Sequence, residues 1–148
     1  MKHVLILLLV LAAPSVLAAD KQPFTFNYQE LTYAGEIMQP PGVAKGMVVI
    51  IPGHGPTEFV DGTEYLELRA FFVAQHYSVA YWDKAGCGRS EGEYDHNQSI
   101  ESSADEAVAA IKILQQLGAP GAENLGFWSI SRGGWIVPKI SESFDDMR

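Results

Sequence analysis

A chain of 148 residues with a formal net charge of −8 has the length of one domain. Hydrophobic residues at 47% and charged residues at 19% make a globular composition, which argues against a disordered chain. The acidity argues against a nucleic-acid partner or docking on anionic lipid, since both need a basic face. The single cysteine, Cys87, has no partner for an internal disulfide, and the four histidines are scattered, so neither a metal nor a cofactor is expected.

At the N-terminus, Lys2 and His3 precede an apolar run from Val4 to Ala13 that is too short to cross a bilayer comfortably. Pro14 and Ser15 break the run, and Val16-Leu17-Ala18 offers small residues where a signal peptidase reads them. Residues 1–18 are therefore expected to be a signal peptide, cleaved after Ala18 or after Ala19. The mature product would be exported, to the periplasm or outside the cell, with no membrane attachment.

Phe24 to Ile37 alternates apolar and polar residues as a half-buried antiparallel hairpin does, and Pro40-Pro41-Gly42 ends it. Met47 to Ile51 is a continuous apolar run, the pattern of a strand covered on both faces. Pro52-Gly53-His54-Gly55-Pro56 forces a loop, and Glu64 to Gln75 predicts an amphipathic helix with Leu68, Phe71 and Phe72 on its apolar side. Val79 to Trp82 is a second buried strand, ending at Asp83 and a glycine-rich turn from Gly86 to Ser90. Ser103 to Gly118 predicts a helix: Ser103 and Glu106 can form a capping box, Ala104, Val108, Ile111 and Leu114 share a face, and Gly118 with Pro120 stops it. Leu125 to Ile130 predicts a third buried strand, and Gly133 to Ser141 a helix that Pro138 bends or delays. Strands alternating with helices imply βαβ crossovers, a largely parallel sheet, and three glycine-rich segments gathered at the carboxyl ends of the strands, where such sheets bind ligands.

The strongest chemical signal lies between Gly126 and Trp135. A strand followed at once by Ser129-x-Ser131-x-Gly133 and a helix is the pattern of a nucleophile elbow. Small residues two before and two after the serine let the backbones pass. The sharp turn then lifts the Ser131 hydroxyl above the sheet and puts the Arg132 N–H at a helix start, where it meets developing negative charge.

Here the sequence resembles the α/β-hydrolase superfamily, in its exported esterase and serine-aminopeptidase-like branch. Val49 to Thr57 looks like the family's oxyanion loop. Trp82-Asp83-Lys84-Ala85-Gly86-Cys87-Gly88-Arg89-Ser90 is similar to its Asp-x-x-Gly-x-Gly-x-Ser turn, and Gly126 to Trp135 to its elbow, with Ser129 in place of the usual first glycine. The resemblance implies an α/β fold, mostly parallel with an N-terminal antiparallel hairpin, in which residues 19–148 supply about five of eight strands. It also implies Ser131 as nucleophile, with the Arg132 N–H and the His54 N–H (or alternatively that of Gly55) forming the oxyanion hole. The substrate would be a small-molecule ester or amide, cleaved through an acyl-enzyme. Asp83 and its turn would be scaffold.

The same resemblance calls for an acid and then a histidine after the serine. Seventeen residues follow Ser131 and none is histidine, while Glu142, Asp145 and Asp146 read as a solvated helix end. His54 is the only histidine this reading brings near Ser131, and a side chain in its loop points away from the nucleophile or lines the pocket. His76 and His96 are expected at the surface. The chain is therefore expected to be inert as written, with Leu125–Ile130 an open sheet edge prone to association. The competing expectation is an exported, non-catalytic binding module. Oligomeric state is left open.

Overall fold

The computed structural model describes residues 19–145. The expected leader, residues 1–18, lies outside them, as does Asp146.

Five strands form one mixed sheet: β1 (Asp20–Tyr28), β2 (Leu31–Gln39), β3 (Met47–Ile51), β4 (Ser78–Trp82) and β5 (Leu125–Ser129), in the order β1-β2-β4-β3-β5. Three helices accompany them: α1 (Leu66–Ala74), α2 (Ile100–Gln116) and α3 (Gly133–Asp145). β3 pairs parallel with β4 and with β5, while β2 pairs antiparallel with both β1 and β4. The leading hairpin thus joins the parallel part through β2.

The apolar runs of β3 and β4 divide between the two faces of the sheet as the pleat requires. Met47, Val49 and Ile51 with Ala80 and Trp82 pack toward α2 and α3. Val48 and Ile50 with Val79 and Tyr81 pack with Val73 and Leu68 of α1. The helix after β3 covers one face and the helices after its neighbours β4 and β5 cover the other. The loops leaving the carboxyl ends therefore diverge around β3 and open a crevice there, the position in which α/β sheets bind ligands.

The structure locates the hairpin turn and corrects three local expectations. The hairpin turns at Gln29-Glu30, both in the left-handed region (φ 48 and 65), which is a two-residue turn built without glycine or asparagine. In α1, Phe71 is exposed and Arg69 is fully buried. Its guanidinium lies 4.4 Å from the centre of the Tyr81 ring and donates to the carbonyls of Phe59 and Gly62, which replace water as partners. In α2, the cap is Ser99, whose hydroxyl accepts from the Ser102 N–H, and not Ser103; Glu106 is buried instead of reaching back to the cap. Finally, β5 is half-exposed rather than buried, because among the described residues it pairs only with β3.

The apolar face of α2 and its stop follow the sequence. Ala104, Val108, Ile111 and Leu114 are buried. Gly118 at φ 62 closes the helix, with its N–H donating to Gln115 O and the Ala119 N–H to Leu114 O, the bonding of a Schellman cap.

Candidate active site

β5 ends at Ser129, and α3 begins at Gly133. Between them Ser131 sits at φ 54, a left-handed conformation that disfavours any residue with a Cβ. The bend is closed by Gly133 N–H donating to Ile130 O (2.9 Å) and Gly134 N–H to Ser131 O (3.0 Å). Ser129 is in register with Ile51, the last residue of β3. A Cβ on Gly133 would lie 2.4 Å from Ile51 O and 3.2 Å from the Ser129 Cβ. The small residues on either side of Ser131 are therefore a packing requirement of this crossing. Ser131 itself is exposed at the carboxyl end of the sheet.

The loop after β3 meets the bend directly, since a Cβ on Gly53 would lie 3.3 Å from the Ser131 Cβ and 3.4 Å from Ile130 O. This loop is held from the β4 side. Lys84 Nζ donates to the carbonyls of both Gly53 and Gly55, each at 2.6 Å, and the Gly55 N–H donates to Tyr94 Oη at 2.9 Å. The N–H groups of His54 and Arg132 make no hydrogen bond among the described residues. The Arg132 guanidinium points back to α2, donating to Ser103 Oγ (3.1 Å) and to the Gln98 carbonyl. The three glycine-rich segments thus converge as the sequence leads one to expect.

No histidine hydrogen-bonds the Ser131 hydroxyl, which has no side-chain partner among the described residues. The His54 imidazole is exposed and lies near the rings of Tyr94 and His96, with centroids 6.5 and 6.2 Å away. His76 and His96 are exposed, and Cys87 is a free thiol in the turn after β4. Asp83 is scaffold: fully buried, it accepts from the N–H groups of Phe59 and Val60 at one oxygen and from Arg89 N–H (2.9 Å) at the other.

Beneath the two loops lies a cavity of about 30 Å³, room for one water, bordered by Lys84, Glu106, Arg132, Gln98 and Trp82. Glu106 accepts from Trp82 Nε1 (2.8 Å) and Gln98 Nε2 (3.0 Å). Burial pushes its carboxyl above the ordinary range, against the pull of those donors and of Lys84. Burial, and next the Arg132 charge, push the Lys84 ammonium below the ordinary lysine value, against Glu106 and Cys87. Sequence reasoning gave no site role to Lys84, Tyr94 or Glu106. Only Lys84, two residues past the carboxyl end of β4, carried a positional signal.

No protein-family model matches the chain, and no curated protein matches it. Solved structures do. The chain is similar to the esterase Pf2001 of Pyrococcus furiosus (TM-score 0.69, 16% identity), over 88% of this chain and 48% of that one. It is similar to Est1E of Butyrivibrio proteoclasticus, solved with ferulic acid bound (TM-score 0.67, 13% identity), over 83% and 48%. It is similar to the α/β hydrolase GrgF of Penicillium sp. sh18 (TM-score 0.66, 16% identity), over 82% and 41%. The chain spans about half the length of the structures it matches. It has part of the α/β-hydrolase fold, including the strand-turn-helix bend that holds Ser131.

Proposed function

We infer that this chain carries the nucleophile and the oxyanion-binding half of a serine hydrolase acting on small carboxylic esters or amides. The observation that carries the reading is Ser131: exposed, strained into left-handed backbone, and flanked by two N–H groups that bond to nothing else among the described residues. In this reading the Ser131 Oγ attacks the substrate carbonyl carbon while a base takes its proton. The Arg132 and His54 N–H groups receive the oxyanion. His54 is preferred to Gly55 because the Gly55 N–H already donates to Tyr94. The leaving alcohol or amine departs, and water then hydrolyses the acyl-enzyme. The likeness to an esterase, and to a protein solved with ferulic acid bound, supports an ester as the substrate class.

Among the described residues no base hydrogen-bonds the Ser131 hydroxyl, so in this reading turnover by the chain is slow and exogenous imidazole should serve in the base's place. The test is labelling by an alkyl fluorophosphonate with and without imidazole, mapped by mass spectrometry. Imidazole-dependent label on Ser131 that is lost in Ser131→Ala is the expected result. Ester binding without any label at Ser131 would instead favour the non-catalytic binding module. Export rests on the leader: N-terminal sequencing of the secreted or periplasmic product should begin at Ala19 or Asp20.

A further inference from the structure

Four groups grip the loop between Pro52 and Thr57. The Lys84 ammonium takes the carbonyls of Gly53 and Gly55, the Tyr94 hydroxyl takes the Gly55 N–H, and the Lys84 N–H donates to Thr57 O at 3.1 Å. The Thr57 hydroxyl reaches Gly55 O at 3.4 Å. The chain has no cis peptide among its described residues. In a trans peptide the C=O and the following N–H point in opposite directions. Fixing the Gly53 carbonyl on Lys84 therefore fixes the His54 N–H on the far side of the same peptide plane. Glycine at 53 leaves one of the two torsions that set that peptide loosely restrained, so the Lys84 bonds carry much of the work of holding it.

We propose that Lys84 is a positioning residue for the loop: its ammonium, bonded to the Gly53 and Gly55 carbonyls, keeps the His54 N–H turned away from it and open to a ligand at Ser131. The catalytic consequence rests on the hydrolase reading above; the orientation of the peptide does not. Loss of the Lys84 proton weakens these bonds and loss of its amine removes them, and the Gly53–His54 peptide can then tilt and carry the His54 N–H out of line with Ser131. The groups facing Lys84 are Arg132 from the elbow, Glu106 from α2, Cys87 from its own turn, and the Tyr94 ring at 5.8 Å. Among these, Arg132 opposes the protonated form, while Glu106 and Cys87 favour it. With burial added, the clamp should release below the ordinary lysine value of 10.5.

The experiment is an alkaline NMR titration of the full chain labelled with ¹³C and ¹⁵N. It follows the Lys84 Cε and the carbonyl carbons of Gly53 and Gly55, none of which involves Ser131. The carbonyl resonances should move with the Lys84 titration at a common midpoint. At neutral pH they should be displaced in Lys84→Met and returned by Lys84→Arg, which keeps a cationic donor. The imidazole-assisted labelling rate at Ser131 should fall on the order of 10²-fold in Lys84→Met, as for loss of one oxyanion donor, and recover in Lys84→Arg. Carbonyl resonances that stay flat while Lys84 titrates would overturn the proposal, and this wild-type measurement decides even if the methionine variant does not fold. Absence of label on Ser131 in the wild type would count against the hydrolase reading alone.

Discussion

Two adjacent glycines should respond oppositely to the same substitution. Gly133 and Gly134 open α3, and alanine at either position gains up to about 1 kcal/mol of helix propensity. At Gly134 a Cβ meets nothing within 4 Å, so Gly134→Ala should keep most of that gain. At Gly133 the Cβ would stand 2.4 Å from Ile51 O and 3.0 Å from Pro52 O, backbone atoms at the end of the fully buried strand β3. These cannot rotate aside, so β3 and the elbow must separate. Overpacking against rigid neighbours costs about 3 kcal/mol, the upper part of its usual range. Net of the helix gain, Gly133→Ala should be less stable than wild type by about 2 kcal/mol, and less stable than Gly134→Ala by about 3 kcal/mol. For a domain of this size that gap is roughly 10 °C in Tm. Thermal and urea melts of the purified variants would measure it. Equal melting of the two variants would refute the argument that β3 and the elbow cross in contact at Gly133.

Asp83→Asn should lower stability by about 3 kcal/mol in urea denaturation, because one carboxylate oxygen that accepts a backbone N–H becomes an amide donor facing it; a change near zero would show that the turn does not depend on the charge. The Glu106 carboxyl titrates above its unfolded value, so the folded chain binds more protons between the two pKa values and stability should decline as pH rises through that interval. Glu106→Gln should flatten that decline, and parallel urea midpoints against pH for the two proteins would refute the assignment. Finally, Gly126 lies exposed on the open edge strand β5, with the nearest atom to an added Cβ 4.0 Å away. Gly126→Lys should therefore fold normally and reduce self-association in sedimentation velocity, as charges on edge strands do; undiminished association would place the contact elsewhere.

Where one physical constraint dominated, the sequence read correctly. Five consecutive apolar, mostly β-branched residues at Met47–Ile51 between Gly46 and Pro52 suit a strand covered on both faces, and Ser129-x-Ser131-x-Gly133 after a strand suits a tight bend. Where two local solutions compete, tertiary contacts decided. Both Ser99 and Ser103 can cap α2, and the Ser-x-x-Glu spacing favours Ser103; the Trp82 indole and the Gln98 amide draw Glu106 inward, and the cap falls to Ser99. In α1 the aromatic Phe71 was the natural core residue, yet Arg69 takes the interior because two aromatic faces and two carbonyls meet its guanidinium there. The Lys84 bonds were invisible for the same reason. Their acceptors are main-chain carbonyls some thirty residues away, with no side-chain signature.

Several unfavourable features of the chain surround Ser131. Ser131 holds a left-handed φ that glycine would adopt without the strain of about 1–2 kcal/mol a Cβ incurs. Two N–H groups beside it bond to nothing else among the described residues, although a hydroxyl or carbonyl placed there would satisfy them. A half-buried ammonium faces the Arg132 guanidinium, and Glu106 is buried where burial disfavours its charge. Each of these is avoidable by a single substitution, although the opposite end of the same strands also holds a left-handed residue, His76 (φ 66), and the buried, unpartnered Ser78 hydroxyl. In the hydrolase reading, the strain around the exposed Ser131 hydroxyl is explained by chemistry at that hydroxyl.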